Sequence, residues 1–341
     1  MTTIGIVAYE VSADRLGEGL VQELQKLIPD VEFVGVVGSR MEACGCRSIL
    51  SAEQLAIMGL VEVLRHLPRM LKARRFLFEY FTDNIPDLFI GIDAPDFNLG
   101  LENKLRDIGV PTVHYVCPTF WAWRSGRVKG LRKAAELVFS IFPFEREFLE
   151  SHGVNYRYVG HPLAERIPTT IDMEQARKQF SLPLQGEVIA VLPGSRMSEV
   201  RTLAKPFIEA AGLLAKQRPG IQFVLPCPKP ELRPVLENAL KKYGEKINCH
   251  IIDGESYVAM SASDVVLTAS GTATMEALMH KRPMVVGYKV SWISYYIFKH
   301  MIKVPYIAMA NLLAGEMLGP ELLQHKCRPE LLAKAVTELL D

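Results

Sequence analysis

Short apolar runs and helical stretches alternate along the whole chain, and this alternation most restricts what it can fold into. In the first half the runs fall at 4–8, 31–37, 88–92, 112–116 and 137–141, with helical patterns at 14–28, 54–81, 101–108 and 144–152 between them. A fully buried parallel strand reads as such a run, and strands alternating with helices of this length form βαβ units. The second half repeats the grammar. Its runs lie at 188–192, 221–225, 250–252, 265–268 and 284–288, its helices at 199–217, 229–243, 256–261, 272–280 and 329–340. A polar, proline-containing connection at 162–171 separates the halves. The expected fold class is α/β: two Rossmann-like, doubly wound domains, 1–165 and 166–341, facing across a cleft. Within 341 residues each half can bury its own core.

Charge and cysteine content exclude several classes. The net charge of +1 gives no global attraction to nucleic acid, so no such partner is expected. The cysteines are scattered, and the closest pair, Cys44 and Cys46, is C-x-C. That is neither a zinc framework nor a disulfide scaffold, and a reducing cytosol fits. The N-terminus lacks a basic region ahead of its apolar run and reads as a first strand. The longest stretch without formal charge, 108–123, is broken by Gly109, Pro111 and Pro118. It is shorter than the ~18 residues a spanning helix needs.

The 88–92 run ends in two carboxylates, Asp93 and Asp96, held apart by Ala94-Pro95. In open α/β sheets ligands sit outside the carboxyl ends of the strands. This puts Asp93 where a reacting hydroxyl could meet a general base. Asp96 reads as a cap of the following helix. The pair would also suit a hard cation, but no third ligand is near in sequence, so no metal is expected. The next run empties into Thr119-Phe-Trp-Ala-Trp-Arg124, whose indoles suit either a core or a binding rim. His114, inside that run, reads as a satisfied core histidine.

In the second half, Gly194-Ser195-Arg196 follows a strand and opens a helix carrying Glu199. Ser270-Gly271-Thr272 follows another strand and opens a helix carrying Glu276. Ser270 or Thr272 can cap the helix, and Gly271 lets the backbone approach a ligand closely. First-turn N–H groups favour an anion. Arg196 would neutralise a diphosphate, and Glu276 would take ribose hydroxyls. Each loop alone reads as a plain cap; two in one domain point to a nucleotide. Neither is a P-loop or a dinucleotide fingerprint, and no cofactor is expected.

Within 60–81, at ~100° per residue, Leu60, Val63, Leu64, Leu67, Met70, Leu71, Phe78 and Phe81 share one side. Arg65, Arg69 and Lys72 lie opposite, and Val61 and Phe76 land among them. Packing of the apolar side on a sheet is one reading. The other is contact with anionic lipid, through Val61, Arg65, Arg69, Lys72 and Phe76. A second mixed stretch, 292–303, adds to the second reading.

The sequence resembles the lipid-A-disaccharide synthase family. The resemblance rests on Gly91-Ile-Asp-Ala-Pro-Asp-Phe-Asn98, Trp121-Ala-Trp123, Gly160-His-Pro162, Leu192-Pro-Gly-Ser-Arg196, Ser270-Gly-Thr272 with Glu276, and Asn311-Leu-Leu-Ala-Gly315, in order along nearly the whole chain. It implies a GT-B-type glycosyltransferase that joins UDP-2,3-diacylglucosamine to 2,3-diacylglucosamine 1-phosphate, releasing UDP with inversion and without a metal. It implies peripheral attachment to the inner face of a Gram-negative cytoplasmic membrane. It makes Asp93 the general base, places Glu10 on the acceptor side, and puts Arg196, Ser270, Gly271, Thr272, Glu276 and Asn311 in UDP-binding motifs, with Asn311 and Glu276 holding base and ribose. Domain closure about 162–171 is expected; the family's homodimer is intertwined through additional C-terminal helices, of which the chain stops short at Asp341. The family's Gly-Glu-x-Ser-Gly-Asp loop is here Tyr9-Glu-Val-Ser-Ala-Asp14; a positive φ at either replaced glycine would require a different loop. Met309-Ala310 stands where Leu-Pro is usual. Alternatives are another GT-B-like UDP-N-acetylglucosamine enzyme, transferase or 2-epimerase, and an inactive membrane-associated nucleotide-sugar binder.

Overall fold

Every strand pair in the structure is parallel, and the strands sort into two separate sheets. The structure, a computed structural model, describes residues 2–50, 60–244, 247–290, 295 and 304–341, with the side chains of all of these except 11 and 60–67. The chain divides into two compact units, Met1–Pro162 and Leu163–Asp341.

In the first unit the strands are β1 (Thr2–Val7), β2 (Val31–Val36), β3 (Arg47–Ser48), β4 (Leu88–Ile92), β5 (Thr112–Tyr115), β6 (Leu137–Ser140) and β7 (Tyr156–Tyr158). Their order across the sheet is β3-β2-β1-β4-β5-β6-β7. The chain therefore advances outward from β1 in one direction, returns to β4 beside it, and advances the other way. β1 pairs with β4 from Ile4 opposite Leu88 to Val7 opposite Gly91. The helix Leu60–Asp83 covers this sheet, burying Leu77 and Phe81 in one cluster with Phe89, Phe97, Leu101 and Leu105. Phe81 meets Phe89 edge-on, with ring centroids 5.5 Å apart.

The second unit holds β8 (Val188–Leu192), β9 (Gln222–Cys227), β10 (Cys249–Asp253), β11 (Val265–Thr268), β12 (Met284–Tyr288) and β13 (Glu321–Leu323), ordered β10-β9-β8-β11-β12-β13. Here the reversal falls between β8 and β11. Long helices Met197–Gln217 and Pro329–Leu340 pack over one face, around Phe207, Leu214, Phe223 and Val336. Arg177, almost fully buried, ties the segment entering this unit to the sheet. It donates to the carbonyls of Leu184, Gly186 and Ala262 and pairs with Asp264 at 2.8 Å.

Strands β3, β7 and β13 are edge additions too short to show as apolar runs. The helix expected at 101–108 is Pro95–Asp107, because Pro95 has the φ that a first helical turn requires and needs no N–H there. Pro68 lies inside the helix Leu60–Asp83. On that helix Leu71, assigned to the packed side, is 46% exposed, whereas Leu77 is fully buried. Arg69, Lys72 and Phe76 are exposed as expected. The side chains of Val61 and Arg65, and the stretch 292–303 apart from Tyr295, lie outside the described residues. Among the described residues no helix is long and apolar enough to cross a membrane.

Candidate active site at two switch points

Where strand order reverses, the loops leaving two adjacent parallel strands diverge and open a crevice at their carboxyl ends. In the first unit those loops follow β1 and β4, and they carry Glu10 and Asp93. Glu10 is the N-cap of the helix Val11–Leu27, in extended backbone, and its side chain does not cap it. Asp93 and the next residue, Ala94, both take left-handed backbone, with φ of 54° and 44°. The Asp93 N–H donates to the Tyr115 carbonyl at 2.8 Å. Tyr9, on the loop leaving β1, packs edge-on against Phe97 of the helix that follows β4, with ring centroids 5.5 Å apart. Burial, followed by the neighbouring Glu10, Asp93 and Asp96 carboxylates, raises its phenol well above its ordinary value. The Tyr9 hydroxyl thus feels the negative charge of carboxylates carried by both loops.

The Tyr9–Asp14 loop needs no glycine: neither Tyr9 nor Ala13 is among the residues with positive φ. Asp14 is buried, and its carboxylate accepts the N–H groups of Gly38, Arg40 and Met41. Asp96 does not cap its helix. It sits inside the first turn, where it pairs with Arg127 at 2.6 Å, and that guanidinium lies over the Phe120 ring at 4.9 Å. His114 is a core histidine, fully buried and 2.7 Å from the equally buried Glu102.

The aromatic loop after β5 is only partly a rim. Phe120 is buried, and Trp121 meets Phe144 edge-on at 4.6 Å. Trp123 donates its indole N–H to Thr119 at 3.2 Å and carries Arg124 over its ring at 4.2 Å. Phe144 stacks on Phe142, which also touches His161 of the Gly160-His-Pro162 motif.

In the second unit the loops after β8 and β11 carry Gly194–Arg196 and Ser270–Thr272. Gly194 has φ 127°, and a Cβ there would stand 2.5 Å from that of Glu199. The room it leaves lets Glu199 Oε2 accept the N–H groups of Ser195 and Arg196 at 3.1 and 3.3 Å. The loop donors are therefore satisfied internally, and the Arg196 guanidinium, 54% exposed and 3.6 Å from Glu199, remains presented to solvent. Gly271, φ 134°, is itself the N-cap of the helix Thr272–Met279, and no side chain caps it. This corrects the expectation for Ser270 and Thr272. Ser270 instead donates to the Ile307 carbonyl at 3.4 Å. Thr274 donates to Gly271 O at 2.8 Å and accepts the Met309 N–H.

Glu276 is buried. Asn311 is fully buried with its amide committed. It donates to Gly319 O and Glu321, both at 2.9 Å, and accepts the Gly319 N–H at 3.0 Å. Asn311 thus shapes the 307–321 segment in this structure and presents no free amide to a base. Tyr288, at the end of β12, is raised by burial and by Glu199, with Arg196 opposing. No motif in the sequence marks it.

The lipid-A-disaccharide synthetase family profile matches residues 4–341. The chain belongs to this family. A lipid-A-disaccharide synthase of Pseudomonas aeruginosa PAO1 is 49% identical over 338 residues, covering 99% of this chain and 89% of the relative. That of Methylobacillus flagellatus is 46% identical over 341 residues, covering 100% and 90%. The family is one of glycosyltransferases in lipid A biosynthesis. Among solved structures, UDP-GlcNAc 2-epimerase of Methanocaldococcus jannaschii, in complex with UDP-GlcNAc and UDP, aligns with a TM-score of 0.64 at 14% identity, covering 100% of this chain and 92% of that one. A glycosyltransferase of Rickettsia africae aligns at 0.58 and 12%, covering 99% and 88%. These likenesses show the GT-B-type fold.

This member of the lipid-A-disaccharide synthetase family also carries a titratable group that its sequence did not reveal. Glu145 is 1% exposed. Its Oε2 accepts Ser140 Oγ at 2.7 Å and the N–H groups of Ile141 and Phe142 at 3.2 and 3.1 Å. Burial nevertheless pushes its carboxyl up to about 7. With the folded value above the unfolded one, the native state holds a proton that the unfolded chain has lost. Its stabilising contribution is complete below about 4.5 and disappears as pH rises to about 7. The isosteric Glu145→Gln variant, neutral at all pH, should gain on wild type by ~3 kcal/mol across that window and then level off. Urea midpoints of both proteins at about pH 5 and about pH 7.5 measure this; a difference independent of pH would contradict it.

Proposed function

We propose that the protein transfers 2,3-diacylglucosamine from UDP to the sugar hydroxyl of 2,3-diacylglucosamine 1-phosphate. The observation that carries this reading, beyond family membership, is that Glu10 with Asp93 and Gly194–Arg196 with Ser270–Thr272 each border a switch point of their own sheet.

Asp93 takes the proton of the acceptor hydroxyl, whose oxygen attacks the anomeric carbon from the face opposite UDP. The bond to the diphosphate oxygen breaks, and configuration inverts. General-base assistance of this kind is typically worth ~10²–10⁴-fold. Glu10, on the loop that leaves β1 beside the Asp93 loop of β4, is the second acidic group on the acceptor side. The departing diphosphate gathers negative charge. The exposed Arg196 guanidinium and the helix N-terminus at Gly271–Thr272, which has no side-chain cap, are suited to stabilise that charge. Glu276 is the candidate for the ribose hydroxyls; Asn311 acts by shaping the neighbouring segment. Among the described residues no three His, Cys, Asp or Glu side chains are grouped to hold a metal ion.

The acyl chains of both substrates call for access from a membrane. On the helix Leu60–Asp83, Leu71 and Phe76 are exposed beside Arg69 and Lys72. Apolar side chains interleaved with cations suit peripheral attachment to the anionic inner face of a cytoplasmic membrane, with Val61 and Arg65 as further contacts.

Incubating the protein with both diacylglucosamine substrates in EDTA should yield a β-linked disaccharide 1-phosphate and UDP by mass spectrometry and NMR. A free epimerised sugar, or no product until Mg²⁺ is restored, would refute the reading. For the membrane face, Leu71→Ser with Phe76→Ser should lower co-sedimentation with anionic vesicles several-fold, as should high salt. Binding unchanged by either would place the contact elsewhere.

A further inference from the structure

The Gly91–Asn98 motif holds more than its carboxylates. Two consecutive non-glycine residues in left-handed backbone, Asp93 and Ala94, cost about 1–3 kcal/mol each and persist only where the surroundings impose them. Asn98 imposes this turn. Its side chain is fully buried. Its Nδ2 donates to the carbonyl of Asp93 at 2.8 Å and to that of Ile92 at 3.2 Å, with the Val7 carbonyl at 3.5 Å. One amide therefore bridges the ends of β1 and β4, the strands that flank the switch point, and grips the backbone of Asp93 itself.

One turn along the same helix, Glu102 meets His114, both fully buried. Gly91 makes the room for them: a Cβ there would stand 2.0 Å from Glu102 Oε1 and 3.0 Å from Asn98 Cβ. Asn98 Oδ1, Glu102 Oε2 and His114 Nε2 are buried without a partner among the described residues. Such orphaned groups are rare and costly in a protein interior, where an apolar filling of the same shape would serve packing alone better.

We infer that Asn98 is a positioning residue for Asp93, fixing the turn that aims its carboxylate, with the Glu102–His114 pair over Gly91 seating the helix face that carries it. This rests on the reading of Asp93 as the base, and it accounts for Gly91 and Asn98 at the two ends of the motif. A double-mutant cycle tests it. Asn98→Ala should lower kcat on the order of 10- to 10²-fold, as a displaced catalytic group does. KM and UDP affinity should stay within about threefold of wild type. In an Asp93→Asn background the same change should alter kcat by less than about twofold, because Asn98 acts only through Asp93. Rates are taken per UDP-binding site, so that loss of folded protein is not counted. If the alanine variant does not fold, Asn98→Ser, with a shorter donor, enters the same cycle. Wild-type kcat in Asn98→Ala, or an equal loss in both backgrounds, would overturn the inference while leaving the base in place. Wild-type turnover in Asp93→Asn alone would instead sink the base reading and the inference with it.

Discussion

Parallel pairing throughout both sheets is the constraint from which the rest of the structure follows. A parallel strand cannot be reached by a tight turn, so each strand is followed by a crossover that covers a sheet face. All strand ends then emerge on one side of each sheet. Only where the order reverses, between β1 and β4 and between β8 and β11, do neighbouring loops part. Glu10, Asp93, Gly194–Arg196 and Ser270–Thr272 stand at these two places because the backbone hydrogen-bond pattern leaves nowhere else on the sheets for loops to diverge.

Internal anions then decide which groups remain available to a ligand. Asp14 satisfies the donors after β2, Glu199 those after β8, and Glu321 those of Ile307 and Ala308. Each carboxylate takes up a potential anion site. At the switch point of the second unit, the Arg196 guanidinium and the helix end at Gly271, with no side-chain cap, stand outside these internal pairings. On the proposed reading a diphosphate would lie near Glu199, and Arg196, paired only loosely with that carboxylate at 3.6 Å, would supply the compensating charge.

Much of this was legible in the sequence, and the failures have physical causes. An apolar run ending in a polar residue marks a strand's carboxyl end, which is why Asp93 and the two loops of the second unit were readable. Asn98 and Glu102 were not: a polar residue on a helix looks solvent-facing unless the position of the opposite strand is known. The Asp96 cap failed because Pro95 starts the helix earlier than its apolar periodicity suggests. Ser270 and Thr272 failed as caps because Gly271 occupies the capping position with a backbone that only glycine adopts easily. Leu71 failed because a wheel cannot tell the edge of a packed face from its centre.

The account depends most on Asp93 as the proton acceptor, and Asp93→Asn is its most direct test. Asparagine keeps the shape and most of the hydrogen bonding but cannot accept a proton near neutral pH. Measured together, turnover should fall roughly 10²-fold or more while UDP affinity by calorimetry stays at the wild-type value. Turnover close to wild type in the folded variant would contradict the account.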